Sequence, residues 1–153
     1  MEAIRIHSRL CHFRLLTRIT RVSAEGVGAI ADLHRKPVFC GLEAMAQLAA
    51  LHVRHSIRFR SHAFLLKVNR GQWPVQDVLQ GCYRLSAQRC GQSSHGFAYR
   101  VSGRGPEGGR LDADLLIGTR PYDRQFRQDI LEAHYRNLFD RLREAGSSDS
   151  PER

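Results

Sequence analysis

The stretch Leu42-Glu43-Ala44-Met45-Ala46-Gln47-Leu48-Ala49-Ala50-Leu51-His52-Val53-Arg54-His55 decides the fold. It is rich in Ala and Leu, both strong helix formers. With His52 neutral, no formal charge lies between Glu43 and Arg54. A helix on a protein surface keeps one polar face, whereas a helix that is apolar nearly all round is buried. At about 1.5 Å per residue it spans about 21 Å, which is too short to cross a bilayer. A helix of this kind needs a wrapping of other elements, and the flanking sequence supplies a sheet.

Upstream, residues 13–22 (FRLLTRITRV) and 27–34 (VGAIADLH) flank the turn-like SAEG and predict a strand pair. Val27, Ala29, Ala31 and Leu33 share one face by the period-two rule. A break at Lys36-Pro37 precedes the helix. Downstream, residues 63–68 (AFLLKV) read as a short apolar strand, and residues 78–88 alternate, with Leu79, Gly81, Tyr83, Leu85 and Ala87 on one face. Phe97, Tyr99 and Val101 alternate with Arg100 and Ser102, and Leu111, Ala113, Leu115 and Ile117 with Asp112 and Asp114. Gly- and Ser-rich turns, Cys90 to Ser94 and Gly103 to Gly109, separate these runs. The pattern predicts an antiparallel meander with one buried face. From Asp123, a possible N-cap, the period becomes helical. Phe126, Ile130, Tyr135, Leu138 and Leu142 form an amphipathic stripe. The expected organisation is a sheet-and-helix domain over residues 1–122, a C-terminal helix over 123–144 packed on it or on a second subunit, and a disordered tail over 145–153 (AGSSDSPER).

Composition limits what the chain can be. Its 153 residues suit one domain, and 42% hydrophobic with 25% charged residues excludes a mostly disordered chain. No apolar run reaches the length of a membrane span, and MEAIRIHSRLCHF has no secretory h-region. A cytoplasmic location is the expectation. Lys+Arg number 24 against 15 Asp+Glu, a net charge of +9, and the only lysines are Lys36 and Lys67. Such a surface suits an acidic partner. The arginines are scattered with no basic block, so a nucleic-acid tail is not expected. Cys11, Cys40, Cys82 and Cys90 show no CxxC spacing, the histidines form no HExxH, and no metal or cofactor is implied. In such a chain these cysteines read as reduced, small hydrophobic residues.

One buried helix inside a twisted antiparallel sheet is the hotdog arrangement, an α+β fold. Pro37-Val38-Phe39-Cys40-Gly41-Leu42-Glu43-Ala44-Met45-Ala46-Gln47 resembles the helix start of the hotdog 3-hydroxyacyl-ACP dehydratases, and GLEAMAQ looks most like the branch associated with aryl-polyene and related lipid gene clusters. Two weaker similarities accompany it. His12 through Val22 is similar to that family's opening segment, and Phe64-Leu65-Leu66 to the strand after the helix. The resemblance implies dehydration of a 3-hydroxyacyl chain on phosphopantetheine to a trans-2-enoyl thioester. It also implies an acidic acyl carrier protein as partner, and a homodimer or higher oligomer whose sites lie at the interface. Such chemistry requires a base, an acid for the leaving oxygen and a donor for the developing enolate.

Glu43 is the candidate acid/base; between Asp32 and Asp77 no other carboxylate occurs. Burial raises and a helix N-terminus lowers such a pKa. A carboxylate satisfied by a helix-end hydrogen bond is the structural alternative. Gln47, four residues on, shares a face with Glu43 and is placed to orient it, or to make a structural bond. The N–H groups near Cys40 and Gly41 are candidate donors to a thioester oxygen, because a first helical turn leaves them unpaired. The dehydratases carry a catalytic His in a Gly-His-Phe-Pro segment; at the matching distance this chain has Ala29. His34, nine residues before Glu43, is the nearest histidine and the candidate base. Its alternative is a strand-end surface residue. Cys40 has no identifiable His–Asp partner, which argues against a nucleophile. Phe64 and Trp73 either line an acyl tunnel or pack. Arg54, Arg58, Arg60 and Arg70 are the candidate rim for docking the carrier protein. An acyl thioesterase with Glu43 activating water, and a non-catalytic acyl-binding or partner subunit, remain as alternatives.

Overall fold

A computed structural model describes residues 14–148. Strands β1 (Leu16–Val22) and β2 (Gly26–Asp32) form a hairpin. A two-residue strand β3 (Lys36–Pro37) leads into helix α1 (Phe39–Ser56). Then follow β4 (His62–Gln72), the short β5 (Val78–Leu79), β6 (Cys82–Gln92), β7 (Gly96–Arg104), β8 (Arg110–Arg120) and helix α2 (Gln128–Ser147). The main sheet is six-stranded in the order β1-β2-β6-β7-β8-β4, and every pairing is antiparallel.

The alternation decides which face closes on α1. Val27, Ala29 and Ala31 of β2, Tyr83, Leu85 and Ala87 of β6, Phe97, Tyr99 and Val101 of β7, and Leu111, Ala113, Leu115 and Ile117 of β8 are all buried. They meet Ala44, Met45, Leu48, Ala49 and Val53 of α1, buried in turn. Each fully buried large aliphatic residue stabilises this arrangement by about 1.5–3 kcal/mol. The helix therefore lies within the curve of the sheet, as its composition requires.

Several boundaries differ from the sequence expectation. The run 78–88 is divided at Gly81, whose φ of 85° is a conformation glycine adopts without strain. Val78 and Leu79 peel away to pair with β3, and β6 continues through Cys90 to Gln92, where a turn was expected. The strand expected at 63–68 runs on to Gln72, paired along its length with β8 through two bulges. The last helix starts at Gln128, not Asp123, and continues to Ser147, so Ala145, Gly146 and Ser147 of the expected tail are helical. Asp123 caps a turn instead: its Oδ1 accepts the N–H groups of Gln125 and Phe126, each at 2.8 Å. Local side-chain bonding of this kind competes with helix formation. Phe126 then stacks on His62, 4.5 Å between centroids, rather than joining the helical stripe. Ile130 is exposed, and Phe139 and Leu142 carry the buried contact. Phe13 of the expected first strand and residues 149–153 of the expected tail lie outside the described residues.

Candidate functional site

Glu43, Gln47, Ala50 and Arg54 follow one another at helical spacing along a single stripe of α1. That stripe faces a cavity of about 530 Å³. Phe64 and Leu65 of β4 form one wall, and Tyr135, Leu138 and Leu142 of α2 another. Arg14 and Leu16 complete it near the start of β1. Glu43 is exposed, although Ala44, Met45 and Ala46 beside it are buried. The Gln47 side-chain amide donates from Nε2 to Glu43 Oε1 at 3.0 Å. This bond holds the carboxylate along the helix, and among the described residues no bond is made to Oε2. Among the described residues lining the cavity, Glu43 is the only carboxylate, against the guanidiniums of Arg14, Arg54 and Arg141.

Arg54 departs most from expectation. The sequence makes it a candidate for the docking rim, but it is only 2% exposed. Three features hold it inside. Its Nη2 donates to Ala63 O at 2.8 Å and lies 3.0 Å from His62 Nδ1, and the Tyr135 ring lies 3.6 Å from the guanidinium carbon. It also sits in the last turn of α1, where a helix favours a cation. The physical reason is α2, which covers this end of α1 and brings Tyr135 over the charge. Arg58, Arg60 and Arg70 are exposed. His62 is pushed down to about 4, first by burial and then by the Arg54 guanidinium beside it. It is therefore neutral near pH 7, and its Nδ1 accepts from Arg54.

Of the residues singled out in the sequence, Glu43, Gln47 and Phe64 come together in this cavity. His34, Cys40 and Gly41 are not among its lining residues. His34 is exposed at the end of the strand pair, its backbone N–H donating to Asp32 Oδ1 at 3.0 Å. Gly41 is buried against Leu111 and Leu79, and its N–H donates to Val38 O at 2.9 Å, so the tight first turn of α1 already satisfies that donor. Cys40 is half-buried. His134, Tyr135 and Arg141 of α2 line the cavity and were not read as site residues. A signal for His134 existed: it precedes Leu138 and Leu142 by four and eight residues, on the same helical face.

His52 is structural. Its Nε2 donates to Ser23 O at 2.9 Å, and its Nδ1 accepts from Tyr99 Oη at 2.6 Å. Burial lowers its pKa, which favours this neutral form. Its ring ties α1 to β7 and to the β1–β2 turn. Among the described residues no group of three His, Cys, Asp or Glu side chains is placed to hold a metal, and no helix is long and apolar enough to cross a membrane.

No protein-family model and no curated protein matches the chain by sequence. Solved structures match it by fold. The dehydratase heterocomplex ApeI:P from Xenorhabdus doucetiae superposes with a TM-score of 0.60 at 14% identity, over 74% of this chain and 86% of that one. A mutant thioesterase of Pseudomonas aeruginosa gives 0.57 at 12% identity, over 68% and 81%. A thioesterase of Haemophilus influenzae gives 0.55 at 10%, over 67% and 77%. A six-stranded antiparallel sheet closed on one buried helix, shared with these proteins, is the hotdog fold, and this chain adopts it. Its structural neighbours include both dehydratases and thioesterases.

Proposed function

We propose that this chain acts on acyl thioesters, and that its reaction is the dehydration of 3-hydroxyacyl-ACP to trans-2-enoyl-ACP. The observation that carries this reading is Glu43, held by Gln47 at 3.0 Å on the mouth of a mostly apolar cavity beside the buried helix. In the forward direction a base takes the C2 proton of the thioester. The C3–O bond breaks as that oxygen is protonated, and water leaves. Glu43 carries one of these proton transfers.

The second titratable group comes from one of two places. His134 already lines the Glu43 cavity. His34 does not, so it serves as base only when a second copy brings it to Glu43 of the first. A second copy has a place to bind. Among the described residues β4 is an open edge of the sheet and exposes Leu65, Leu66 and Val68, and unpaired apolar edges pair with other strands. The other edge, β1, is packed by α2. A homodimer joined along β4 follows. The net charge of +9 suits docking of an acidic acyl carrier protein, with Arg58, Arg60 and Arg70 exposed around β4.

The thioesterase neighbours keep a second reading in view, in which Glu43 activates water for hydrolysis. The heterocomplex among the neighbours keeps a third, a partner subunit of a dehydratase. One experiment separates them. The purified chain is given 3-hydroxyacyl- and 2-enoyl-pantetheine thioesters of several lengths, with enoyl absorbance and free thiol followed together. Reversible change in absorbance, abolished in Glu43→Gln, is the expected result. Thiol release without it assigns hydrolysis. Neither signal at any length refutes catalysis by the chain alone. His34→Ala and His134→Ala then identify the second group.

A further inference from the structure

The cavity that holds Glu43 also holds a buried charge with no counter-charge. Arg54 is 2% exposed, and among the described residues no carboxylate pairs with it. Its Nη2 is satisfied by Ala63 O and His62 Nδ1, but among the described residues Nε and Nη1 have no partner at good hydrogen-bond geometry. The phenols of Tyr135 and Tyr122 favour the cation by charge and by side-chain hydrogen bonding, yet burial outweighs them in lowering its pKa, and neither brings a negative charge. His62, neutral near pH 7, supplies a lone pair and no negative charge.

A buried cation with unsatisfied donors is costly, and an alkyl chain filling the cavity increases that cost by excluding water and offering no acceptor. A chain ending in oxygen acceptors reverses the balance, most of all a carboxylate, whose charge-assisted bonds to a guanidinium are the strong ones. Arg54 lies at the far end of the α1 stripe from Glu43, eleven residues or about three turns away. At about 1.5 Å per residue that is about 16 Å along the helix, the reach of a long acyl chain.

We infer that the Glu43 cavity selects acyl groups that carry an anionic oxygen group at their distal end, a terminal carboxylate above all, and that Arg54 is the residue that recognises it. This rests on the acyl-thioester reading above and narrows its substrate class.

The test uses binding, so that it does not depend on turnover. Amide analogues of acyl-pantetheines and of the ω-carboxyacyl-pantetheines of equal carbon count, from about six to about sixteen carbons and unable to react, are titrated by calorimetry against the full chain. The carboxylate-ended member of at least one pair is expected to bind about tenfold tighter or more, the worth of one charge-assisted hydrogen bond. Arg54→Lys keeps a cation but loses the planar fork, and is expected to lose most of that preference. Arg54 also ties α1 to β4, so circular dichroism checks that the variant folds, and the wild-type preference stands as a test without it. Equal binding of both members of every pair in the wild type overturns the inference. So does a preference lost in Arg14→Gln or Arg141→Gln but kept in Arg54→Lys, which would place recognition at the exposed arginines. A carboxylate preference with no turnover of the matching thioester leaves this inference standing and sinks only the catalytic reading. No binding of any analogue sinks both.

Discussion

Replacing Phe139 with alanine tests whether α2 is part of the domain and a true wall of the cavity. Phe139 is 2% exposed, stacks on His55 of α1 with centroids 4.4 Å apart and meets Phe59 edge-on at 6.0 Å. Truncating a buried phenylalanine costs about 3–5 kcal/mol, through lost burial and the cavity left behind. Natural domains have only about 5–15 kcal/mol in total. For a domain of this length each kcal/mol lowers Tm by about 2–4 °C, so a fall of about 6–20 °C is expected. Ile130→Ala on the same helix is the control. Its side chain is 43% exposed, and its change is expected to stay within about 1 kcal/mol. Urea denaturation followed by circular dichroism gives both numbers. Because Tyr135, Leu138 and Leu142 line the cavity from the same helix, Phe139→Ala is also expected to weaken binding of acyl-pantetheine amides. A Phe139→Ala loss no larger than that of Ile130→Ala would refute the docking of α2 and remove one wall of the site.

Other outcomes follow from individual contacts. Gln47→Ala removes the donor to Glu43 Oε1. It is expected to lower kcat about tenfold or more with little change in KM, since one bond to a charged group is worth about 1.5–3 kcal/mol; a change confined to KM would place Gln47 in binding instead. Gly146→Ala would put a methyl group against the Ile19 carbonyl oxygen of β1. In a free helix that substitution stabilises by about 1 kcal/mol, but here it is expected to destabilise by about 1–3 kcal/mol, and a rise in Tm would show the last turn of α2 to be undocked. His62 titrates at about 4 in the folded chain against about 6.5 unfolded. Between those values the unfolded chain binds more protons, so this contribution to stability is complete above pH 6.5 and is lost as pH falls toward 4. His62→Asn, which retains an acceptor for Arg54, is expected to give a shallower loss of Tm from pH 7 to pH 4, and an unchanged profile would mean that His62 does not titrate this way.

Much of the fold was legible because two periods were clean. Val27, Ala29 and Ala31, and Leu111, Ala113, Leu115 and Ile117, fall on the faces their period predicts and all are buried, with Ile30 and Leu116 the apolar residues on the opposite face. The uncharged run after Glu43 identified the helix that the sheet encloses. The ends of elements were less legible, for local reasons. Asp123 offers the same signal to a helix N-cap and to a side-chain turn, and only the stacking of Phe126 on His62 decides between them. The strand through Gln72 has little alternation because it pairs with a single neighbour at the sheet edge. At the site, Glu43 and Gln47 were found together because their contact is local, one turn apart on a helix. Arg54, Tyr135 and His134 were not, because their meeting depends on how α2 crosses the end of α1, and no local pattern encodes that crossing. The arginine's place at the helix end suggests a docking rim, and arginines are mostly exposed. Its burial follows from partners that are distant in sequence.

The most direct measurement concerns the proton that Glu43 is assigned to move. The chain is incubated in D2O with a 2-enoyl-pantetheine thioester, the product is exchanged back into H2O, and deuterium at C2 is read by mass spectrometry, with Glu43→Gln in parallel. The expected result is a 3-hydroxyacyl thioester carrying deuterium at C2 from the wild type, and unlabelled starting material from the variant. Equal labelling by both proteins would contradict the assignment of Glu43, and free acid with no C2 label would contradict the dehydratase reading altogether.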